Sequence, residues 1–278
     1  MPEFATPGPL SVTLAFDLGS VRITAGKRTD TVVEVLPSNP DAAADIQAAE
    51  QTEVTCSDGK LLIKGPRKHS PFGRSGSLAV RIELPAGSDL VGSSPMADFH
   101  CTGPLGECRL TTSLGDIQVD EATAVHLRTD HGDIRLDRVT GDAELLGSGR
   151  IDVGEIAGAA LVKNVNGATI LGEVTGPLRA KSANGALSVG VAHDSVDATS
   201  ANGAIRIGEV ARGRVDLQAA AGDLEIGIRQ STAAWLDVHT DVGSVRTPLG
   251  PSDGPGDAAE RVEVRAHTAV GDIVIHRA

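Results

Sequence analysis

The chain says almost the same thing twice in succession: "SANGALSVGVAHDSVDAT", Ser182–Thr199, is followed at once by "SANGAIRIGEVARGRVDL", Ser200–Leu217. The glycine of each Asn-Gly pair precedes a short aliphatic run, and that pattern recurs at Gly115, Gly132, Gly149, Gly167, Gly185, Gly203, Gly222, Gly243 and Gly271. Successive anchors are 17, 17, 18, 18, 18, 19, 21 and 28 residues apart, a period of about eighteen that loosens late in the chain.

Two residues after the anchor stand Ile117, Ile134, Ile151, Thr169, Leu187, Ile205, Leu224, Val245 and Ile273, and two further on Val119, Leu136, Val153, Leu171, Val189, Ile207, Ile226, Thr247 and Ile275. This period-two alternation turns one face inward and the other outward, which is the signature of a strand. A second alternating run lies ahead of each anchor, as in Leu178, Ala180 and Ser182, or Val196, Ala198 and Ser200. An eighteen-residue unit with two strands and two corners has no room for a helix, and it cannot bury its apolar face alone. Stacking successive units in parallel supplies the interior. The expected fold is therefore all-β, a single-stranded parallel β-helix (β-solenoid) of about nine coils of 17–21 residues. Right-handed coiling is expected because parallel crossovers favour that hand, although this coil length also suits a left-handed hexapeptide helix.

The corners form columns. Three residues before the anchor stand Thr112, Thr129, Leu146, Asn164, Ser182, Ser200, Ala219, Thr240 and Thr268, mostly small side chains that can hydrogen-bond one another and the turn backbone. The residue just before the anchor varies, with Asn at Asn166, Asn184 and Asn202, so the Asn-Gly pair reads as a structural corner and not a ligand motif. A second glycine column, Gly154, Gly172, Gly190, Gly208 and Gly227, is expected at a bend that tolerates positive φ.

Residues 1–95 depart from the repeat and are read as an N-terminal β-meander or cap; residues 96–278 are read as the solenoid. "LSVTLAFDLGSVRITAG" and "TDTVVEVLP" look like meander strands, with Gly19 resembling one more anchor. "NPDAAADIQAAEQT" predicts a short helix near 40–51, with Asn39 as cap, Pro40 in the first turn and Asp41 favouring the dipole. "EVTCSDGKLLIKG" reads as a hairpin turning at Asp58-Gly59. Such a cap would cover an end that otherwise exposes apolar interior and strand edges. Two loops break the pattern. One is basic, "KGPRKHSPFGRSGS", with Lys64, Arg67, Lys68 and Arg74 as a candidate interaction loop; the other is "TPLGPSDGPGDAAE".

The composition excludes several functions. A net charge of −12 repels a phosphate backbone, so no nucleic-acid partner is expected. No apolar stretch approaches a membrane span and no signal segment is apparent, so the expected location is cytoplasmic, without membrane insertion. Three cysteines without a C-x-x-C suit free thiols, and His100, Cys101 and Cys108 match no zinc spacing, with Cys108 read as a small core residue. With no tyrosine, one tryptophan and four phenylalanines, aromatic platforms for sugar rings are scarce.

Acidic columns are the best candidates for chemistry. Asp116, Asp133, Asp223 and Asp272 follow the anchor directly, but Arg150, Ala168, Ala186, Ala204 and Ser244 interrupt them, unlike a calcium ladder. Glu121, Arg138, Glu155, Glu173 and Glu209 line another edge, where paired carboxylates would need a cleft to do acid-base work. The eight histidines look scattered among repeat phases. No catalytic residue, metal ligand or cofactor is expected.

Runs such as "SLGDIQV", "DHGDIRL", "VNGATIL", "SANGAIRIGEVARG", "AAAGDLEIGI" and "VGDIVIHRA", with "TAAWLDVHT", "DLGSVRITAG" and "VVEVLP", give the chain a family likeness. It resembles the bacterial β-strand-repeat family of unknown function known as the putative-adhesin domain. The resemblance implies a β-helix of stacked strands and carries no catalytic residues with it. The expected role is a non-catalytic scaffold or protein-interaction module whose partner is another protein or a second copy of the chain. The alternative is a polysaccharide-binding or polysaccharide-acting β-helix protein.

Overall fold

The computed structural model describes residues 2–66, 76–249 and 260–278. They are strands almost throughout, with one helix, and the chain divides into two compact units, Met1–Val139 and Thr140–Ala278.

The first unit opens with β1 (Glu3–Ala5), β2 (Ser11–Ala15), β3 (Leu18–Gly26), β4 (Asp30–Pro37), α1 (Ala43–Gln51), β5 (Glu53–Ser57), β6 (Lys60–Lys64) and β7 (Leu78–Pro85). It continues with β8 (Asp89–Leu114), β9 (Ile117–His131) and β10 (Ile134–Val139). β2 and β3 do not form a meander. They make a coil, parallel to β6 and β7 on one side and to β8 on the other. Their alternation, Val12, Leu14, Val21 and Ile23 buried, is the same inward pattern as in the later coils, which is why they stack. Gly19 is in register with Leu78 and Ala97, an anchor position as the sequence suggested. The boundary expected near residue 95 falls inside β8. The cap is made instead by β4 and β5, antiparallel to β7 and β6 respectively, and by β1, antiparallel to β4.

The helix begins at Ala43, later than its sequence signals, and Ala42 at its cap makes no side-chain bond. Asn39 instead closes an Asx turn, its Oδ1 accepting from the Asp41 N–H at 3.0 Å. Asp45 in the first helical turn accepts from the backbone N–H of Asn39 and of Ser77, at 3.0 and 2.9 Å, and so ties the helix to the start of β7.

The second unit runs β11 (Ala143–Gly147), β12 (Ile151–Ile156), β13 (Ala160–Asn164), β14 (Thr169–Val174), β15 (Leu178–Asn184), β16 (Leu187–Ala192), β17 (Val196–Asn202) and β18 (Ile205–Val210). It ends with β19 (Gly213–Ala221), β20 (Leu224–Ile228), β21 (Thr232–Val242), β22 (Val245–Arg246), β23 (Glu260–Val270) and β24 (Ile273–Arg277). Odd strands stack on odd and even on even, in parallel, with Leu187 against Ile205 and Ile205 against Leu224, and with a register shift between β18 and β20 after Ile207. Each coil thus buries its aliphatic face against its neighbours, the interior a lone eighteen-residue unit lacks.

The last coil does not stack last. β19 pairs with β23, and β23 in turn with β21; likewise β20 pairs with β24, and β24 with β22. The coil of β23 and β24 is inserted between two coils that precede it in sequence, so β21 and β22 form the outer edge.

The corner columns resolve into specific bonds. Hydroxyls three before the anchor donate to the anchor carbonyl of the neighbouring coil: Thr129 to Gly115 at 2.9 Å, Thr268 to Gly222 at 2.9 Å and Thr240 to Gly271 at 2.8 Å. Thr169, the polar residue in the first aliphatic column, is matched by the corner column, because the buried Asn164 donates to the buried Thr169 at 3.0 Å as well as to the Gly149 carbonyl at 2.9 Å. Leu146 is not in this column at all; Gly147 stands opposite Asn164.

Candidate functional site

The candidate site residues named from sequence fall into three groups. The anchor glycines, Gly115, Gly132, Gly167, Gly185, Gly203, Gly222, Gly243 and Gly271, all take positive φ, and Gly149 lacks it. The second column departs from expectation. Gly172, Gly190, Gly208 and Gly227 do not have positive φ; a β-carbon on each would stand 1.8–2.6 Å from a carbonyl oxygen one coil away. Close approach of neighbouring backbones, not turn conformation, requires glycine there.

The repeated Asn-Gly is a corner with an amide ladder on it. Asn184 Nδ2 donates to Asn166 Oδ1 at 3.1 Å, and Asn202 Nδ2 to Asn184 Oδ1 at 3.1 Å. Of the basic-loop residues, Lys64 is exposed at the end of β6, whereas Arg67, Lys68 and Arg74 lie outside the described residues.

The carboxylates after the anchor serve the backbone. Asp98 and Asp116 accept from the backbone N–H of Asp116 and Asp133 at 2.9 and 2.8 Å; Asp223 and Asp272 accept from Asp272 and Ser244 at 2.8 Å. The Ser244 backbone N–H, then its side chain, hold the Asp272 carboxyl below its ordinary value. In the glutamate column Glu121 lies opposite Arg138, Glu173 bonds His193 at 2.7 Å and Glu209 bonds Arg229 at 2.5 Å, while Val191 separates Glu173 from Glu209. Cys101 and Cys108 are buried, and a hydrogen bond with Cys108, then burial, pushes the Cys101 thiol well up, so it stays protonated and inert as a ligand.

The second unit's outer edge is different in kind. The core-facing residues of β23, Val262, Val264, Ala266 and Thr268, are buried, while their register partners on β21, Ala234, Leu236, Val238 and Thr240, are only half-buried. Among the described residues β21 has a ladder partner on one side alone. Trp235 is 56 % and Val242 64 % exposed, and Val245 is exposed as well, a concentration of apolar surface on an unfinished coil.

Two histidines of this edge are not scattered after all. His239 and His267 both stand four residues before their anchors, Gly243 and Gly271, and the ladder sets them side by side. Their rings lie 5.5 Å apart at 44°, and Asp241 Oδ1 is 3.0 Å from His239 Nε2 and 3.7 Å from His267 Nε2. One ligand atom from each of the three residues falls within 4.8 Å of the other two. Tabulating histidines by distance from the anchor would have revealed the pair; the insertion of β23 beside β21 would not have followed.

Among the described residues no helix is long and apolar enough to cross a membrane. No curated protein matches the chain. Among solved structures, a "putative adhesin" from Bacteroides fragilis is 14 % identical, with 99 % of this chain and 95 % of that one covered at a TM-score of 0.34. A "putative adhesin" from Parabacteroides distasonis is 9 % identical, with 100 % and 95 % covered at 0.35. A "putative lipid binding protein" from the same species is 11 % identical, with 100 % and 95 % covered at 0.24. Similarity this slight transfers no function. The family model described as Toastrack DUF4097 matches residues 13–276, so nearly the whole of this repeat, from the strand that begins the first coil to the one that ends the inserted last coil, belongs to that family.

Proposed function

We propose that the chain is a non-catalytic β-solenoid interaction module that works through the open edge formed by β21 and β22, and that its first partner is a second copy of itself. The observation that carries this is the half-exposed inward row Ala234, Leu236, Val238 and Thr240, bordered by exposed Trp235, Val242 and Val245. An edge strand with apolar residues and free main-chain groups is a template for another strand. The residues of β21 are self-complementary in an antiparallel, two-fold arrangement centred on Val238. Asp237 then faces His239 twice, Leu236 faces Thr240 and Trp235 faces Asp241, so no like charges oppose each other.

Sedimentation velocity at rising concentration tests this. The wild type is expected to pass from monomer to dimer, and Leu236→Lys, which puts a charge on the inward row, to remain monomeric. A wild type that stays monomeric to millimolar concentration would sink the proposal.

A further inference from the structure

We infer that His239, Asp241 and His267 form a surface site for a divalent transition ion of the zinc type, all three ligands coming from one copy of the chain. The three ligand atoms come from two adjacent, in-register strands, β21 and β23. Around a tetrahedral ion with bonds of about 2.1 Å, ligand atoms lie roughly 3.4 Å apart. The two carboxylate–imidazole separations, 3.0 and 3.7 Å, bracket that value. Among the described residues the side chains that pair with Asp241 are these two imidazoles, so an ion would enter without displacing a lysine or arginine. Side-chain exposures of 70 % for His239, 54 % for Asp241 and 55 % for His267 leave the remaining coordination positions to water.

The donor set selects the ion. Two imidazole nitrogens and one carboxylate suit zinc and its borderline neighbours, whereas calcium and magnesium prefer oxygen-only shells. Binding would add a metal-bridged link to the main-chain ladder between the edge strand β21 and the inserted strand β23. Because metal binds the paired strands and not the separated ones, it adds to the stability of the terminal coil.

Titration calorimetry with zinc chloride tests the site on the full chain held at concentrations where it is monomeric. One zinc ion per chain is expected, with affinity at least tenfold lower in His239→Ala and in His267→Ala, and with the imidazole proton resonances of these two residues shifting on addition. Calcium at the same concentration produces neither heat nor shift. His193→Ala removes a histidine from a different carboxylate pair and keeps wild-type binding; its far-ultraviolet dichroism and that of the two site variants should match the wild type, since all three residues face outward. A wild type that takes up no zinc overturns the assignment, as does zinc binding that survives both site variants or is lost in His193→Ala. Neither result bears on dimerisation, which is read without metal.

Discussion

At Gly185 φ is 120°, and the Gly167 carbonyl oxygen lies 2.1 Å from where a β-carbon would stand. Backbone conformation and the neighbouring coil therefore both forbid a side chain, and the same is true at Gly203, where φ is 150° and the Gly185 oxygen is at 2.3 Å. Asn184, immediately before, contributes one donated and one accepted amide bond on an exposed corner. Gly185→Ala should cost about 1–3 kcal/mol from backbone strain, with the steric overlap added, whereas Asn184→Ala should cost about 1 kcal/mol. Urea unfolding compares the two, and an equal or larger loss for Asn184→Ala would mean that the amide ladder, not the glycine, holds the corner. The sequence disclosed which residue mattered, because the glycine kept register while Leu114, His131, Ser148, Ala221 or Val242 took the place of the asparagine. It could not disclose why the second glycine column exists, since a missing side chain looks the same whether conformation or a nearby backbone demands it.

Where an aspartate follows the anchor, as at Asp116, Asp223 and Asp272, it pins a neighbouring coil's backbone. Asp272 does so for Ser244, at the junction where the exposed edge coil turns from β21 into β22. Its carboxyl is depressed chiefly by the Ser244 N–H, so folding favours the ionised form: this contribution is complete above the unfolded-state value and disappears as pH falls through the lower folded-state value. Hydrogen exchange at the Ser244 amide should accordingly be protected at neutral pH, lose protection in Asp272→Ala, and lose it in the wild type only in strongly acidic solution, after correction for the intrinsic exchange rate. Protection unchanged by Asp272→Ala would show that the carboxylate is not what orders this corner. These aspartates were legible as a column but not as a function: spacing places a carboxylate on a corner, and only the stacking distance reveals that a backbone N–H of the neighbouring coil lies in front of it.

Over each unit as a whole, chain order and stacking order part company in one coil. In the first unit β2 and β3 lie between β7 or β6 and β8, and in the second β23 and β24 lie between β19 or β20 and β21 or β22. The repeat could not announce this, because alternation identifies a coil without naming its neighbour: Ala234, Leu236 and Val238 on β21 fit the same inward row as Val262, Val264 and Ala266 on β23. The 28-residue spacing from Gly243 to Gly271 gave the extra length but not which coils β23 and β24 would lie between. A solenoid stacked in chain order could lose its last coil and keep the rest. Here β21 is hydrogen-bonded to β23, and the link from β20 to β21 is held by Arg277, which donates to the carbonyls of Arg229 and Thr232 at 2.9 and 2.7 Å. Ending the chain at Leu249 should therefore unfold residues 232–246 together with the deleted coil, exposing Val215, Leu217 and Ile226 of the coil beneath, and hydrogen exchange over 232–246 should rise to the rate of an unstructured segment. Were those residues to remain protected, β21 would have moved inward to pair with β19, and the insertion of the last coil would be a preference of the complete chain that its remaining strands do not need.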